Sequence, residues 1–210
     1  MRFHLDDLAI PIVGAPMAGG PSTPGLAAAV TNAGGLGLLA GGYVAPQRLA
    51  ESISEARSLT TGPIGVNLFV PQPCLAGDAE LDGYRQLLVP FAEQYGVEPG
   101  HPHPDDDGWL EKLDVVADVA PEAVSFTFGC PEPAVLDRLR ARGVLTLVTV
   151  SSAVEAAVAV QAGAGALVVQ GPEAGGHRSI FDPGAEPPTA PLLELVAQTA
   201  DLGVPVVAAG

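Results

Sequence analysis

Lysine is almost missing from this sequence: only Lys112 among nine basic side chains is one, and 24 acidic side chains bring the net charge to -15. A surface of that sign repels a phosphate backbone, which excludes nucleic acid as a partner. A patch for an anionic membrane and a lysine Schiff-base site lack material for the same reason. Cysteine is equally scarce. Cys74 and Cys130 stand in segments of different character, so neither a disulfide framework nor a CxxC metal site is available, and a reducing cytoplasm is expected. The stretch from Leu8 to Gln47 is uncharged, yet Pro11, Gly14, Pro16, Pro21, Pro24 and Gly34 break it into pieces too short to span a bilayer. Asp6 and Asp7 interrupt the amino terminus where an export signal would need an apolar run. No shift in composition divides the 210 residues, and one domain is expected.

What is present is a recurring unit: a short apolar run, a turn rich in Gly, Pro, Ser or Thr, then a segment of helical periodicity. The runs are Ile10 to Ala15, Leu36 to Ala40, Ile64 to Phe69, Ala123 to Phe128, Leu145 to Val150, Ala166 to Gln170 and Val204 to Ala209. Helices are predicted between them, with Ser22 or Thr23 capping the first and Ser152 with Glu155 forming a capping box ahead of another. Gly143, Gly163 and Gly203 are placed to stop three of them. Strands that are apolar throughout are buried on both faces, as in parallel sheets covered by helices. The chain is therefore expected to be α/β, a parallel (β/α)8 TIM-type barrel. A doubly wound open sheet is the rival, but Gly14 to Gly20 does not supply the GxGxxG turn that usually follows its first strand. Such a barrel closes with eight strands over ~250 residues. Seven predict a domain truncated after strand seven, with open sheet edges.

Residues 71–108 make one excursion too long for an ordinary connection, and are expected to be a lid-like insertion. Leu81, Tyr84, Leu88, Phe91 and Tyr95 step by three and four, predicting an amphipathic helix that packs its apolar face, or lies over the strand ends. His101 and His103 alternate with prolines in a solvated acidic strip, so no metal site is expected there.

In a parallel barrel, function gathers at the carboxyl ends of the strands. Read together, those ends are APMAGG, LAGG, VNLF, FGCP, VVQGPEAGGH and AAG. Their glycines let a planar or phosphorylated ligand approach bare backbone, and Asn67 and Gln170 offer amides that donate and accept. APMAGG, GVNLF and QGPEAGGH, in this order, resemble the nitronate monooxygenases of the 2-nitropropane dioxygenase superfamily over essentially the whole chain. The resemblance implies an FMN-binding barrel. It makes Asn67, Gln170, Gly175, Gly176 and Gly210 cofactor contacts, sets Ala15 and Met17 against the flavin ring, and puts the catalytic histidine at His177. It also implies an alkyl nitronate or nitroalkane as substrate and dioxygen as electron acceptor.

The residues speak for His177 independently. Imidazole as a side-chain type offers a neutral, proton-accepting form near pH 7, and the glycines before it allow close approach to a ligand. A histidine in a glycine-rich loop can also merely hydrogen-bond backbone. Arg178 could bind an anion or make a surface salt link, Met17 could pack on a ring or fill core, and Cys130 reads as a small buried thiol. Two other functions stay open. One is an NAD(P)H-dependent flavin reductase of quinones or enoyl thioesters. The other is a non-catalytic fragment, because the loops after strands seven and eight commonly hold the phosphate, and here the first is cut at Gly210. An oligomer is compatible with everything above.

Overall fold

The computed structural model describes residues 3–210. Six strands, β1 (Gly37–Ala40), β2 (Ile64–Phe69), β3 (Ala123–Thr127), β4 (Leu145–Val150), β5 (Ala166–Gln170) and β6 (Val206–Ala209), form a single sheet in sequential order. Every neighbouring pair is parallel. The helices are α1 (Pro24–Asn32), α2 (Pro46–Leu59), α3 (Asp78–Tyr95), α4 (Trp109–Val119), α5 (Pro133–Ala141), α6 (Ala153–Ala162) and α7 (Leu192–Thr199). A doubly wound sheet reverses its strand order at a switch point. This order never reverses, so the sheet curls in one direction into a half-barrel of βα units.

Two apolar clusters tell the faces apart. Ile64, Val66 and Leu68 of β2, Val124 and Phe126 of β3 and Val148 of β4 pack with residues from α1, α2, α4, α5, α6 and α7. Alternate residues point the other way: Leu38, Ala123, Leu147 and Ala166 meet Phe3, Leu5 and Leu8 and no residue of α1 to α7. The amino-terminal segment thus plugs the inner face at the end where the strands begin. The small residues permit close helix contact. Gly37 lies so near α1 that an added Cβ would overlap the Ala27 carbonyl.

The local signals are present, except that the capping box expected at Ser152 and Glu155 forms by half, because the Glu155 carboxylate accepts from the Ser151 N–H instead of that of Ser152. Thr23 accepts from the Leu26 N–H at 3.1 Å with Pro24 at the first helical position, and Ser152 accepts from the Glu155 N–H at 3.1 Å. Gly163 ends α6 in the left-handed region at φ +102°.

Two expectations are corrected. The first strand, expected over residues 10–15, reduces to one bridge between Val13 and Leu36. The Ile10 and Gly14 N–H groups donate across to the Gly34 and Leu36 carbonyls, both at 2.9 Å, but between them the Ile12 N–H turns back to the Ile10 carbonyl at 2.7 Å, so the ladder is interrupted. Helix α3 forms, but its expected apolar face is not packed: Tyr84, Phe91 and Tyr95 are 64%, 61% and 75% exposed. Periodicity dictates which face of a helix is apolar, not whether another element lies against it.

Candidate active site

Along the inner face the side chains change from apolar to polar toward the carboxyl ends of the strands. Alternation from the plugged residues places Asn67 of β2, Ser125 and Thr127 of β3, Thr149 of β4 and Gln170 of β5 there. Asn67 is 3% exposed. Its Nδ2 donates to Ser125 Oγ and Thr127 Oγ1, both at 2.9 Å, and approaches the Ser125 carbonyl at 3.3 Å. The carbonyl, which can only accept, sets which amide atom is nitrogen. Oδ1 has no donor among the described residues and is free to accept from a bound group.

After β5 the chain enters the loop that carries His177. Gln170 grips that loop at two points: Nε2 donates to the His177 carbonyl at 2.9 Å, and Oε1 accepts from the Ser179 N–H at 2.7 Å. Fully buried Ser179 accepts from the Phe128 N–H through Oγ at 3.2 Å. Farther along, Glu155 Oε1 accepts from the Phe181 N–H at 2.8 Å, while Oε2 accepts from the N–H and hydroxyl of Ser151 at 2.7 and 2.9 Å. Gln72, in the excursion after β2, donates to the Ile180 carbonyl at 3.0 Å. Three strand ends and the excursion therefore hold one loop.

The His177 ring stands edge-on to Phe128, with centroids 6.1 Å apart and planes at 85°. Phe128 touches Phe69 at 4.9 Å, and Phe69 touches Tyr43 at 5.3 Å. These four rings, Gln72 and Asp105 to Asp107 line a pocket of about 310 Å³. Phe128 has φ +71° and Tyr43 φ +62°. Left-handed backbone costs a non-glycine residue roughly 1–2 kcal/mol, and such strain clusters at functional sites. The pocket wall is also held electrostatically: the Lys112 ammonium, almost fully buried, lies 2.7 Å from Asp107, which accepts from the Tyr43 N–H at 3.0 Å.

Ala15 and Met17 follow the Val13 bridge and are exposed. Gly175 and Gly176 precede His177, with no atom within 4 Å of an added Cβ at either and φ +81° at Gly176, so bare backbone faces open space. Gly210 follows β6 and is exposed, and a Cβ there would press on Leu192. Arg178 makes no salt link to an acid among the described residues: Nη2 donates to the Pro188 carbonyl at 2.7 Å, and the buried Nε has no partner there. Cys130 is half-buried, and burial pushes its thiol from 9.0 up to about 11. Asn67, Gln170 and the His177 loop are linked through Thr127, Phe128 and Ser179, and of the three only His177 lines the aromatic pocket. Sequence reasoning missed Ser125, Thr127, Ser179, Glu155 and the aromatic row. The polar beat in AVSFT could have shown the first two, because only alternate residues of a parallel strand need the helix-facing core.

An unpaired acceptor on Asn67, a polar inner layer and uncovered glycine backbone fit a planar heteroaromatic group of flavin type. Sheet order and helix placement define a β/α-barrel fold, in which functional groups gather at the carboxyl ends of the strands. The chain belongs to the nitronate monooxygenase family, whose sequence pattern matches residues 3–210. It is 41% identical over 207 residues to a nitronate monooxygenase of Pseudomonas aeruginosa, and 40% over 209 residues to one of Paraburkholderia phytofirmans. Those alignments take in 95% of this chain but 58% and 56% of the two relatives, so the chain spans little more than half their length. Among solved structures, a nitroalkane oxidase from Streptomyces ansochromogenes superposes with a TM-score of 0.89 at 43% identity, covering 96% of this chain and 59% of that one. Among the described residues no helix is long and apolar enough to cross a membrane.

Proposed function

We propose that this chain forms the FMN-binding half-barrel of an enzyme that oxidises alkyl nitronates, and neutral nitroalkanes after deprotonation, with dioxygen as the electron acceptor. The observation that carries the reading is the placement of His177, its loop gripped by Gln170 and preceded by bare glycine backbone, at a pocket lined by Phe69 of β2, two residues along the same face from Asn67, and by Phe128. The family relationship and the Streptomyces nitroalkane oxidase support the same substrate class.

Bound FMN would accept the electrons of the nitronate and pass them to dioxygen. Asn67 Oδ1 and the Gly175–Gly176 backbone would hold the flavin, with Ala15, Met17 and Gly210 at its edge. Gln170 adds support through the loop, since both ends of its amide are already engaged there. Tyr43, Phe69 and Phe128 exclude water and hold the alkyl part of the substrate. A ring nitrogen of His177 takes the α-proton of a neutral nitroalkane, leaving its electron pair delocalised onto the nitro group as the nitronate. A preformed nitronate has already lost that proton. The free thiols Cys74 and Cys130 fit a reducing compartment, and we place the enzyme in the cytoplasm.

The test is His177→Ala in the flavin-loaded protein. The turnover of a neutral nitroalkane relative to its preformed nitronate is expected to fall about 100-fold or more. An unchanged ratio removes His177 from the role of base.

A further inference from the structure

Catalytic use of His177 requires its ring to point one way, yet the residue sits in an exposed, glycine-rich loop. Gly175 and Gly176 give that loop conformational freedom. Something other than local backbone preference must therefore fix the imidazole. The contacts around it close into a cycle. Gln170 donates to the His177 carbonyl and accepts from the Ser179 N–H, bracketing Arg178 between the two. Only a primary amide offers a donor and an acceptor side by side in this way. Ser179, with no solvent exposure, turns its hydroxyl oxygen to the Phe128 N–H. The Phe128 backbone, left-handed at φ +71°, returns its ring to the edge of His177.

We infer that Gln170, Ser179 and Phe128 form a positioning ring that sets the direction of the His177 imidazole, with Ser179 as the joint coupling the loop to the end of β3. The hydroxyl of Ser179 satisfies an N–H that the β-ladder leaves at the end of β3, and in doing so holds Phe128 in a conformation it would otherwise leave. The aromatic edge then limits the imidazole from one side while Gln170 fixes its backbone from the other. None of the three removes a proton; Gln170 and Ser179 act through His177, while Phe128 also lines the pocket. This inference rests on the reading of His177 as the base, but its direct readout does not.

The experiment uses the flavin-loaded protein with labelled histidine side chains, followed by NMR across pH. Four histidines give four imidazole signals, and His177→Gln identifies the relevant one. In Ser179→Ala the His177 signal is expected to shift or broaden, with His4, His101 and His103 unchanged. The kcat for a neutral nitroalkane is expected to fall about tenfold with KM within about twofold, as for a misdirected base. Phe128→Leu, which keeps the strained backbone position but removes the ring, is expected to perturb the same signal, and serves alone if Ser179→Ala does not fold. A His177 signal and titration unchanged in the folded variants overturns the positioning ring, even if melting temperature falls. If the signal moves while His177→Ala leaves the nitroalkane-to-nitronate ratio intact, the ring stands and the role of base fails.

Discussion

Removing the Glu155 carboxylate should loosen the loop from its far end. It accepts three hydrogen bonds, two from Ser151 and one from the Phe181 N–H. Bonds to a charged acceptor contribute about 1.5–3 kcal/mol each, so the simple sum exceeds 4 kcal/mol. Glu155 is only half-buried, and water admitted by truncation can satisfy the Ser151 hydroxyl. That brings the expected cost of Glu155→Ala to about 3 kcal/mol, or roughly 6–12 °C in melting temperature for a chain of this size. Glu155→Gln keeps one acceptor oxygen but turns an NH2 toward a donor, and should cost about half as much. Urea unfolding measures the change through its midpoint at constant slope. Hydrogen exchange localises it, because the Phe181 amide should lose protection by about tenfold for each 1.4 kcal/mol of local destabilisation. A Glu155→Ala protein within 0.5 kcal/mol of the parent, or a Phe181 amide equally protected, would refute the reasoning.

Two further predictions concern buried charge. At pH 8 a thiol at about 11 is ionised roughly 100-fold less than one at 9.0, so Cys130 should react with a disulfide reagent in a slow phase after exposed Cys74. Its rate should climb about tenfold per pH unit up to about 11, and a single fast phase for both thiols would contradict this. Burial favours the neutral thiol, so the associated stability is complete below about pH 9 and declines as pH rises toward 11. Lys112→Met should destabilise by about 2–3 kcal/mol, because Asp107 then keeps a partly buried charge without its cation. Adding Asp107→Asn, which retains an acceptor for the Tyr43 N–H, should restore most of that loss in urea unfolding; additive losses would show that the ion pair is not the cause.

Much of the fold was legible because its signals are local. Thr23 with Pro24, Ser152 with Glu155 and the stop at Gly163 each act within one turn of helix, so residue type alone places them. The apolar runs at β2 to β5 needed no partner to be recognised, since their helix-facing residues are apolar throughout and the inner face turns polar only toward the carboxyl ends. The first run shortens to a bridge for a reason also local: the Ile12 N–H turns back to the Ile10 carbonyl and removes one ladder donor from an otherwise strand-like stretch. Helix α3 failed differently. Its stripe of Tyr84, Phe91 and Tyr95 was read correctly as a stripe, but its cover could only be learned from what lies beside it.

The sequence by itself determined the repeating βα unit, the acidic and lysine-poor surface, and the strand-end positions of Asn67, Gln170 and the glycines before His177. It did so because backbone propensity and burial act on neighbouring residues. Only the tertiary structure decided that both ends of the Gln170 amide serve the His177 loop, that Ser179 meets Phe128 51 residues away, and that four rings from separate segments share one pocket. Curling of the sheet brings those groups together, and no local preference encodes a hydrogen bond between segments that meet only when strands three and five are wound into the same barrel.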